Sequence, residues 1–400
     1  MLQRIMPDHS QPVAVKYTKG SFIIVEGKPS SNRFYIIKEG KVQITREADS
    51  IIPGENVAGA GEMFGVVSAM AARSYIETAV ALNDVTVLAA GRDHIIKSTP
   101  VAVNIIRQFS QRLRKLDETY SHRVMMSAAS NDPSHLLEIG KYFERVGKAS
   151  QAAYTYRQYL AYCPDADNAD SIYDKIAKME SRSKVTRPEY PPDTMVQKYP
   201  KNCLLFAEGE IGHNLYIIQE GAIKITKVVQ NQEVILAVLK KGDIFGEMAM
   251  LEDKPRAATA EIYEDSTLLV VNRSNFTTLI HEQPEMVIRL TTLMAERIWL
   301  LYRQLTNTLI EDTIGRVYDA LLIQLEKNRV DLTSVRPYQC NFGFKELVGM
   351  AGLPEIKTNE LYKTATDARK LTVNDDRVYV PNVASIVKEA EFHRRLRKMN

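Results

Sequence analysis

Hydrophobic and polar positions alternate over two separate stretches of the chain, and the two stretches are copies of each other. SFIIVEGKPSSNRFYIIKEGKVQIT, from Ser21, returns as CLLFAEGEIGHNLYIIQEGAIKIT, from Cys203. Each copy runs through an apolar segment, Glu-Gly, a short polar turn, Tyr-Ile-Ile and a second Glu-Gly. Each then reaches Phe-Gly at the same spacing, Gly40 to Phe64 and Gly221 to Phe245. Apolar alternation between glycine turns predicts antiparallel strands, with the glycines supplying the positive φ that tight turns need. Each copy is read as a small β-barrel or jelly-roll-like domain, over 10–100 and 185–283.

After each copy the period lengthens. Ile105, Phe109, Leu113, Leu116 and Tyr120 recur at three- and four-residue spacing, as do Val287, Leu290, Met294, Ile298, Leu301 and Leu305. These stripes predict long helices over 101–130 and 284–310. A stripe of this kind suits a core face or the seam of a homodimer, and a homodimer is expected. Between the copies, over 131–184, Leu136, Gly140, Phe143, Gly147, Ala152, Tyr156 and Pro164 fit a helix–turn–helix repeat of about 34 residues. The stretch resembles a single tetratricopeptide repeat, with Ser171–Met179 as a capping helix. One repeat buries its own face poorly, so this insert should lean on a neighbouring domain or chain. It reads as a helical spacer or as a docking surface for a protein. RPEYPPD, Arg187–Asp193, is too proline-rich for regular structure and reads as a linker.

Composition narrows the class. A chain of 400 residues implies roughly two to four domains. Hydrophobic content of 45% with 25% charged residues describes a globular protein, and a net charge of +3 neither demands nor excludes a polyanionic partner. The three cysteines form no metal-ligand spacing, which suits free thiols in a reducing cytoplasm and no metal cofactor. No charged-then-apolar leader and no run of about 18 apolar residues is visible, so a cytoplasmic location and no membrane partner are expected. The chain has no P-loop and no nucleophile elbow, and its seven histidines are scattered, so an enzyme is not expected.

One segment carries candidate chemistry. FGEMAMLEDKPRAATA, Phe245–Ala260, holds Glu247 and Arg256 among small and apolar neighbours. A short helical turn there would present free backbone N–H groups to an anion, and Arg256 can add a guanidinium for phosphate oxygens. Glu247 would repel phosphate and so should face a hydroxyl. A cyclic nucleotide offers both groups, with its cyclic phosphate for Arg256 and its ribose 2′-OH for Glu247. The same spacing also suits a buried Glu–Arg ion pair stapling two strands.

The segment resembles the phosphate-binding cassette of the cyclic-nucleotide-binding domain, shared by catabolite-activator-type (Crp/Fnr) bacterial regulators and the regulatory subunits of protein kinase A. The pattern is met by Phe245, Gly246, Glu247, Ala249, Pro255, Arg256, Ala258 and Thr259, with Met250 in place of a leucine. The resemblance implies a ligand site of Phe245, Gly246, Glu247, Met248, Arg256, Ala257, Ala258 and Thr259, with Leu301 and Tyr302 of the following helix near the base. It implies cyclic AMP or cyclic GMP as ligand; cyclic di-GMP would depart from the pattern. The first copy has Val66 where the second has Glu247 and Tyr75 where it has Arg256. It reads as a degenerate copy, with Arg73 and Glu77 as the nearby charges that a local shift would bring in.

The C-terminal stretch, 311–400, also resembles this superfamily. Glu311–Asn328 is amphipathic, and the following residues read as helix, glycine turn at Gly352, second helix from Pro354 and a wing at Asn374–Asp375. That is the order of a winged helix-turn-helix. Lys357, Thr358, Asn359 and Lys363, with Thr364, are the candidate DNA contacts. Glu355, Ile356 and Glu360 stand where the superfamily usually has Arg, Glu and Arg, and HRRLRK from His393 reads as a basic tail or a solvated helix end. The expected fold is α+β and multidomain: two antiparallel jelly-roll-type nucleotide-binding domains with long helices, a helical hairpin insert and a winged helix. The expected function is a nucleotide-responsive regulator of transcription, ligand in the second domain shifting the long helix 284–310 and the winged helix. A nucleotide-dependent interaction protein whose winged helix binds no DNA is the alternative.

Overall fold

The computed structural model describes residues 12–52, 56–97, 99–125, 132–182, 187–191, 194–229, 231–282, 284–374 and 376–399. Two compact units emerge. The first draws on Met1–Arg92, Thr119–Met126 and Ala295–Asn400, the second on Asp93–Glu118 and Ser127–Met294. Pro192 and Asp193 of the expected linker and Asp375 of the expected wing turn lie outside the described residues.

In the first unit, the first β domain is a pair of antiparallel four-stranded sheets. One runs in the order Val13–Tyr17, Val85–Gly91, Arg33–Glu39, Met63–Phe64; the other in the order Phe22–Ile24, Thr78–Ala81, Val42–Thr45, Val57–Ala58. Ile37, Val42, Phe64, Val85 and Val87 form part of its core. The turn at Gly40 needs glycine, since φ is +91° and a Cβ would lie 2.5 Å from the Asp84 carbonyl oxygen.

The same unit holds the C-terminal segment. Helix Thr313–Lys327 is capped by Asp312, whose carboxylate accepts from Gly315 N at 2.9 Å. Helix Phe344–Met350 follows, then a 3-10 turn Glu355–Lys357, helix Thr358–Asp367, and strands Thr372–Asn374 and Arg377–Val380, which pair with each other. Leu321, Leu347, Val348, Leu361, Val378 and Ile386 close the core. The second helix begins at Thr358 rather than Pro354 because the 3-10 turn intervenes. The basic run from His393 lies inside helix Val383–Met399, where Arg394 pairs with buried Asp319 and Arg397 pairs with Glu47 of the first β domain at 2.7 Å. Burial pushes the Asp319 carboxyl up to about 6, with the Arg303 charge and the Asn307 amide opposing the rise.

In the second unit, the insert consists of helices Ser134–Arg145, Ala149–Tyr162 and Ala169–Arg182. Gly140 lets the first two approach, because a Cβ there would meet the Tyr156 ring at 2.5 Å. The insert packs on its neighbour: Leu204 and Ala207 of the second β domain are part of its core. That domain is a single antiparallel sheet built on two long strands, Asn214–Val229 and Thr259–Asn272. Their pairing shifts register between Ile218 and Ile223, and such bulges let a strand pair bend. In the first copy the corresponding stretch is interrupted, giving two sheets instead of one.

The long helices are Thr99–Tyr120 and Pro284–Asn307. Ile105, Phe109, Leu113, Leu116, Val287, Leu290, Met294, Ile298 and Leu305 are all buried within one chain. These positions therefore form core faces within the chain. The first long helix is held to the second β domain: Ser110 Oγ donates to Glu252 Oε1 at 2.6 Å, Arg114 Nε donates to Glu252 Oε2 at 2.9 Å, and Lys227 Nζ lies 3.3 Å from Asp117. The second long helix, from Ala295 on, is held to the first β domain: Trp299 Nε1 donates to Ser74 O at 3.2 Å and the Tyr302 hydroxyl donates to Glu26 Oε1 at 2.7 Å. The second β domain thus receives the helix that follows the first, and the first receives the C-terminal part of the helix that follows the second, whose N-terminal part stays on its own domain through Arg289 Nη2 donating to Gly242 O at 2.8 Å.

Candidate nucleotide-binding site

The second cassette starts where Ile244–Phe245 pairs with Tyr216 and Ile217. Gly246 then turns the chain with φ +77°, and the short helix Glu247–Glu252 follows. Asp253 ends it in the left-handed region. The return segment is gripped by the loop Ala207–Gly212: Arg256 N donates to Glu210 O at 2.7 Å and Gly209 N donates to Arg256 O at 2.9 Å. This grip places Arg256 at the mouth of strand Thr259–Asn272, beside Phe206, Tyr216 and Phe245, whose rings pack together.

Arg256 is only 5% exposed. Its guanidinium lies 4.1 Å from the centre of the Phe206 ring, and Nη1 donates to Gly246 O at 2.7 Å. Its Nε has no hydrogen-bond partner. A buried guanidinium bonded to a backbone carbonyl, with a donor left over, has the chemistry to take an anion's oxygen. Glu247 is buried in the same short helix. Met248 is buried, Ala257 and Ala258 are half-buried, and Thr259 is buried with its hydroxyl accepting from Glu208 N at 3.0 Å.

Gly212 makes room for the guanidinium. A Cβ there would lie 2.1 Å from Arg256 Nε. Gly212→Ala is therefore expected to displace the side chain and cost about tenfold in nucleotide affinity, with the melting temperature little changed, as read by titration calorimetry.

The structure does not bring every expected residue to this cassette. Tyr302, expected near the base, is 2% exposed and committed to the first β domain: besides donating to Glu26, its oxygen accepts from Ala48 N at 3.2 Å. Leu301, its neighbour on the same helix, is half-buried. The helix that meets the second cassette is the upstream one. Arg114 is 6% exposed, donates from Nη1 to Pro255 O at 3.2 Å and keeps Nη2 without a partner. Thr226, opposite Thr259 in the strand register, has a buried hydroxyl that also lacks a partner. Sequence reasoning missed Ser110, Arg114 and Thr226, because the partners Arg114 and Glu252 lie far apart in the chain and no local motif joins them.

The first cassette keeps the scaffold and fills it from within. Gly65 has φ +72° and leads into helix Val66–Ala71, as Gly246 does in the second copy. Glu77, 4% exposed, accepts from Gly65 N at 2.6 Å through Oε1, and its Oε2 pairs with Arg46 at 2.9 Å. Tyr75 turns its hydroxyl to Ser31 Oγ at 3.0 Å. Arg73, the other nearby charge, points elsewhere: it donates to the carbonyls of Glu326 and Lys327 and lies over the Trp299 ring. A protein carboxylate thus meets the glycine amide, and the cation that answers it is Arg46.

In the C-terminal segment, Asn359, Lys363 and Thr364 are exposed on helix Thr358–Asp367, opposite buried Leu361 and Ala365. Lys357 and Thr358 are half-buried at its start, and Ile356 just before it is 90% exposed.

The sequence profile described as "Cyclic nucleotide-binding domain" matches residues 14–97 and 196–283. The "Cyclic AMP receptor protein" of Thermus thermophilus is 31% identical over 155 residues, 38% of this chain and 68% of that protein. The "cAMP-activated global transcriptional regulator CRP" of Salmonella typhimurium is 25% identical over 187 residues, 46% of this chain and 89% of that protein. The "cAMP-dependent protein kinase regulatory subunit" of Debaryomyces hansenii is 25% identical over 265 residues, 66% of this chain, but the match spans only 44% of that protein. The repeated jelly-roll scaffold, the cassette and these similarities agree, and the chain belongs to the Crp/Fnr-type superfamily, with two cyclic-nucleotide-binding domains.

Proposed function

We propose that the chain is a cyclic-nucleotide-responsive regulator that takes one nucleotide per chain, in its second domain. The observation that carries this reading is the buried Arg256 guanidinium with its unpartnered Nε, in the same cassette as buried Glu247. Arg256 takes the cyclic phosphate and Glu247 the ribose 2′-OH. The first domain takes none, since Glu77 already meets its cassette amide. Cyclic AMP is favoured by the relatives' names, with cyclic GMP and cyclic di-GMP as the ligands to set against it. The C-terminal segment acts as a winged helix that presents Asn359, Lys363 and Thr364 to DNA, with Lys357 and Thr358 at the helix start. Ligand in the second cassette biases the arrangement of the long helices and so of that segment, with the reciprocal coupling that linkage requires.

Calorimetric titration with the three nucleotides tests the ligand. One site per chain for one nucleotide is expected, and no binding of any of them sinks the reading. For DNA, the expected result is an affinity that falls steeply with salt and changes on adding nucleotide, read by fluorescence anisotropy. A second reading has its own support: Arg394 and Arg397 are engaged in internal ion pairs, and Ile356 stands exposed where a base-reading side chain would. If no DNA affinity appears at low salt, the segment is a protein-binding surface instead.

A further inference from the structure

The insert touches the loop that seats Arg256. From its second helix, the Tyr154 hydroxyl lies 2.8 and 2.9 Å from the two oxygens of Glu210, and the Tyr162 hydroxyl accepts from Ile211 N at 2.8 Å. The guanidinium of Arg187 lies 4.7 Å from the centre of the Tyr154 ring and donates to Leu205 O at 2.8 Å. Glu210 and Ile211 belong to the loop whose backbone grips Arg256 and whose Gly212 makes space for the guanidinium. One short loop therefore has insert hydroxyls on one side and the phosphate-binding arginine on the other.

Glu210 sits at the centre of this arrangement. Its side chain accepts from Ala207 N at 3.0 Å and from Tyr154, and makes no ion pair with Arg256 although the two charges interact. Burial raises its carboxyl, opposed by those hydrogen bonds and by the Arg256 and Arg187 charges. A carboxylate close to an arginine is a natural competitor for a phosphate. Here the tyrosine gives it another partner.

We infer that the insert controls the nucleotide affinity of the second pocket, with Tyr154 as a positioning residue that holds the Glu210 carboxylate off the Arg256 guanidinium. This deepens the proposed function and rests on it. The insert is then more than a spacer between the two β domains.

The test is a mutant cycle on the full chain, with cyclic AMP, cyclic GMP and cyclic di-GMP titrated by calorimetry. Tyr154→Phe keeps the ring and removes the hydroxyl, and is expected to weaken binding about tenfold. Glu210→Gln removes the competing charge and is expected to bind at least as well as the wild type. The double variant Tyr154→Phe/Glu210→Gln is expected to bind like Glu210→Gln alone. Unchanged affinity in Tyr154→Phe overturns the inference. So does a loss that persists in the double variant, because a tyrosine that merely props the loop would show that pattern. If the wild type binds none of the three nucleotides, the functional reading itself fails and the inference falls with it.

Discussion

Arg256→Ala should bind cyclic nucleotide about a hundred-fold more weakly than the wild type, a loss of about 2.8 kcal/mol. The magnitude follows from burial. The guanidinium is 5% exposed, so a phosphate that reaches it is screened little by water. Truncation removes the planar fork and leaves the phosphate oxygens without their charged donor. Arg256→Lys separates geometry from charge: it keeps the cation, loses the fork and should fall between the two. The side chain also packs on Phe206, so ligand-free melting must accompany the titration. A normal melting temperature with hundred-fold weaker binding assigns the loss to the site. Wild-type affinity in Arg256→Ala would remove this arginine from the ligand.

Glu77→Ala carries the second large effect, on stability rather than affinity. Removing this carboxylate leaves Gly65 N–H without the acceptor at 2.6 Å and Arg46 with only the more distant Asp49, at 3.9 Å, in a site where Glu77 is 4% exposed. Breaking a buried pair from one side costs about 3 kcal/mol. The chain has one tryptophan, Trp299, which bonds to Ser74 O of the first β domain, so its fluorescence reports on that domain. Urea unfolding followed at Trp299 should shift to lower midpoint in Glu77→Ala, while nucleotide binding in the second domain stays at one site per chain. An unchanged midpoint would show that Glu77 does not hold the first cassette together. A second bound nucleotide in this variant would show that the carboxylate had been excluding one.

The second cassette was legible because its chemistry is local. Phe245, Gly246, Glu247, Arg256 and Thr259 all fall in one short segment, and the repeat shows which backbone they belong to. The turns at Gly40 and Gly221 were legible for the same reason: a Cβ at either would lie within 2.5 Å of a carbonyl oxygen, a constraint that sequence shows as a repeated Glu-Gly. What could not be read was partnership at a distance. Tyr302 is expected near the base from the family's pattern, and only the structure shows that it bonds to Glu26 of the first domain. Arg114, which no local motif singles out, grips Glu252. Glu77 stood as one of two charges near a degenerate cassette, and only the distance to Gly65 N shows which of them enters. The basic run from His393 is a similar case, since its character depends on Asp319 and Glu47, which no pattern connects to it.

The exchange of the two long helices has a consequence for how the protein responds in a cell. Where reciprocal helix contacts join separate molecules, assembly depends on how much protein is made, and dilution uncouples the parts. Here both sets of contacts, Arg114 with Glu252 and Tyr302 with Glu26, lie within one polypeptide. Contacts made within one polypeptide do not depend on bulk concentration. On the proposed function, a titration curve measured at nanomolar protein should overlay one measured a hundred-fold higher, and a curve that shifts with protein concentration would show that the helix contacts form between copies. A fragment cut at the boundaries of either sequence repeat leaves behind a helix that packs on it, so such a fragment should melt below the full chain.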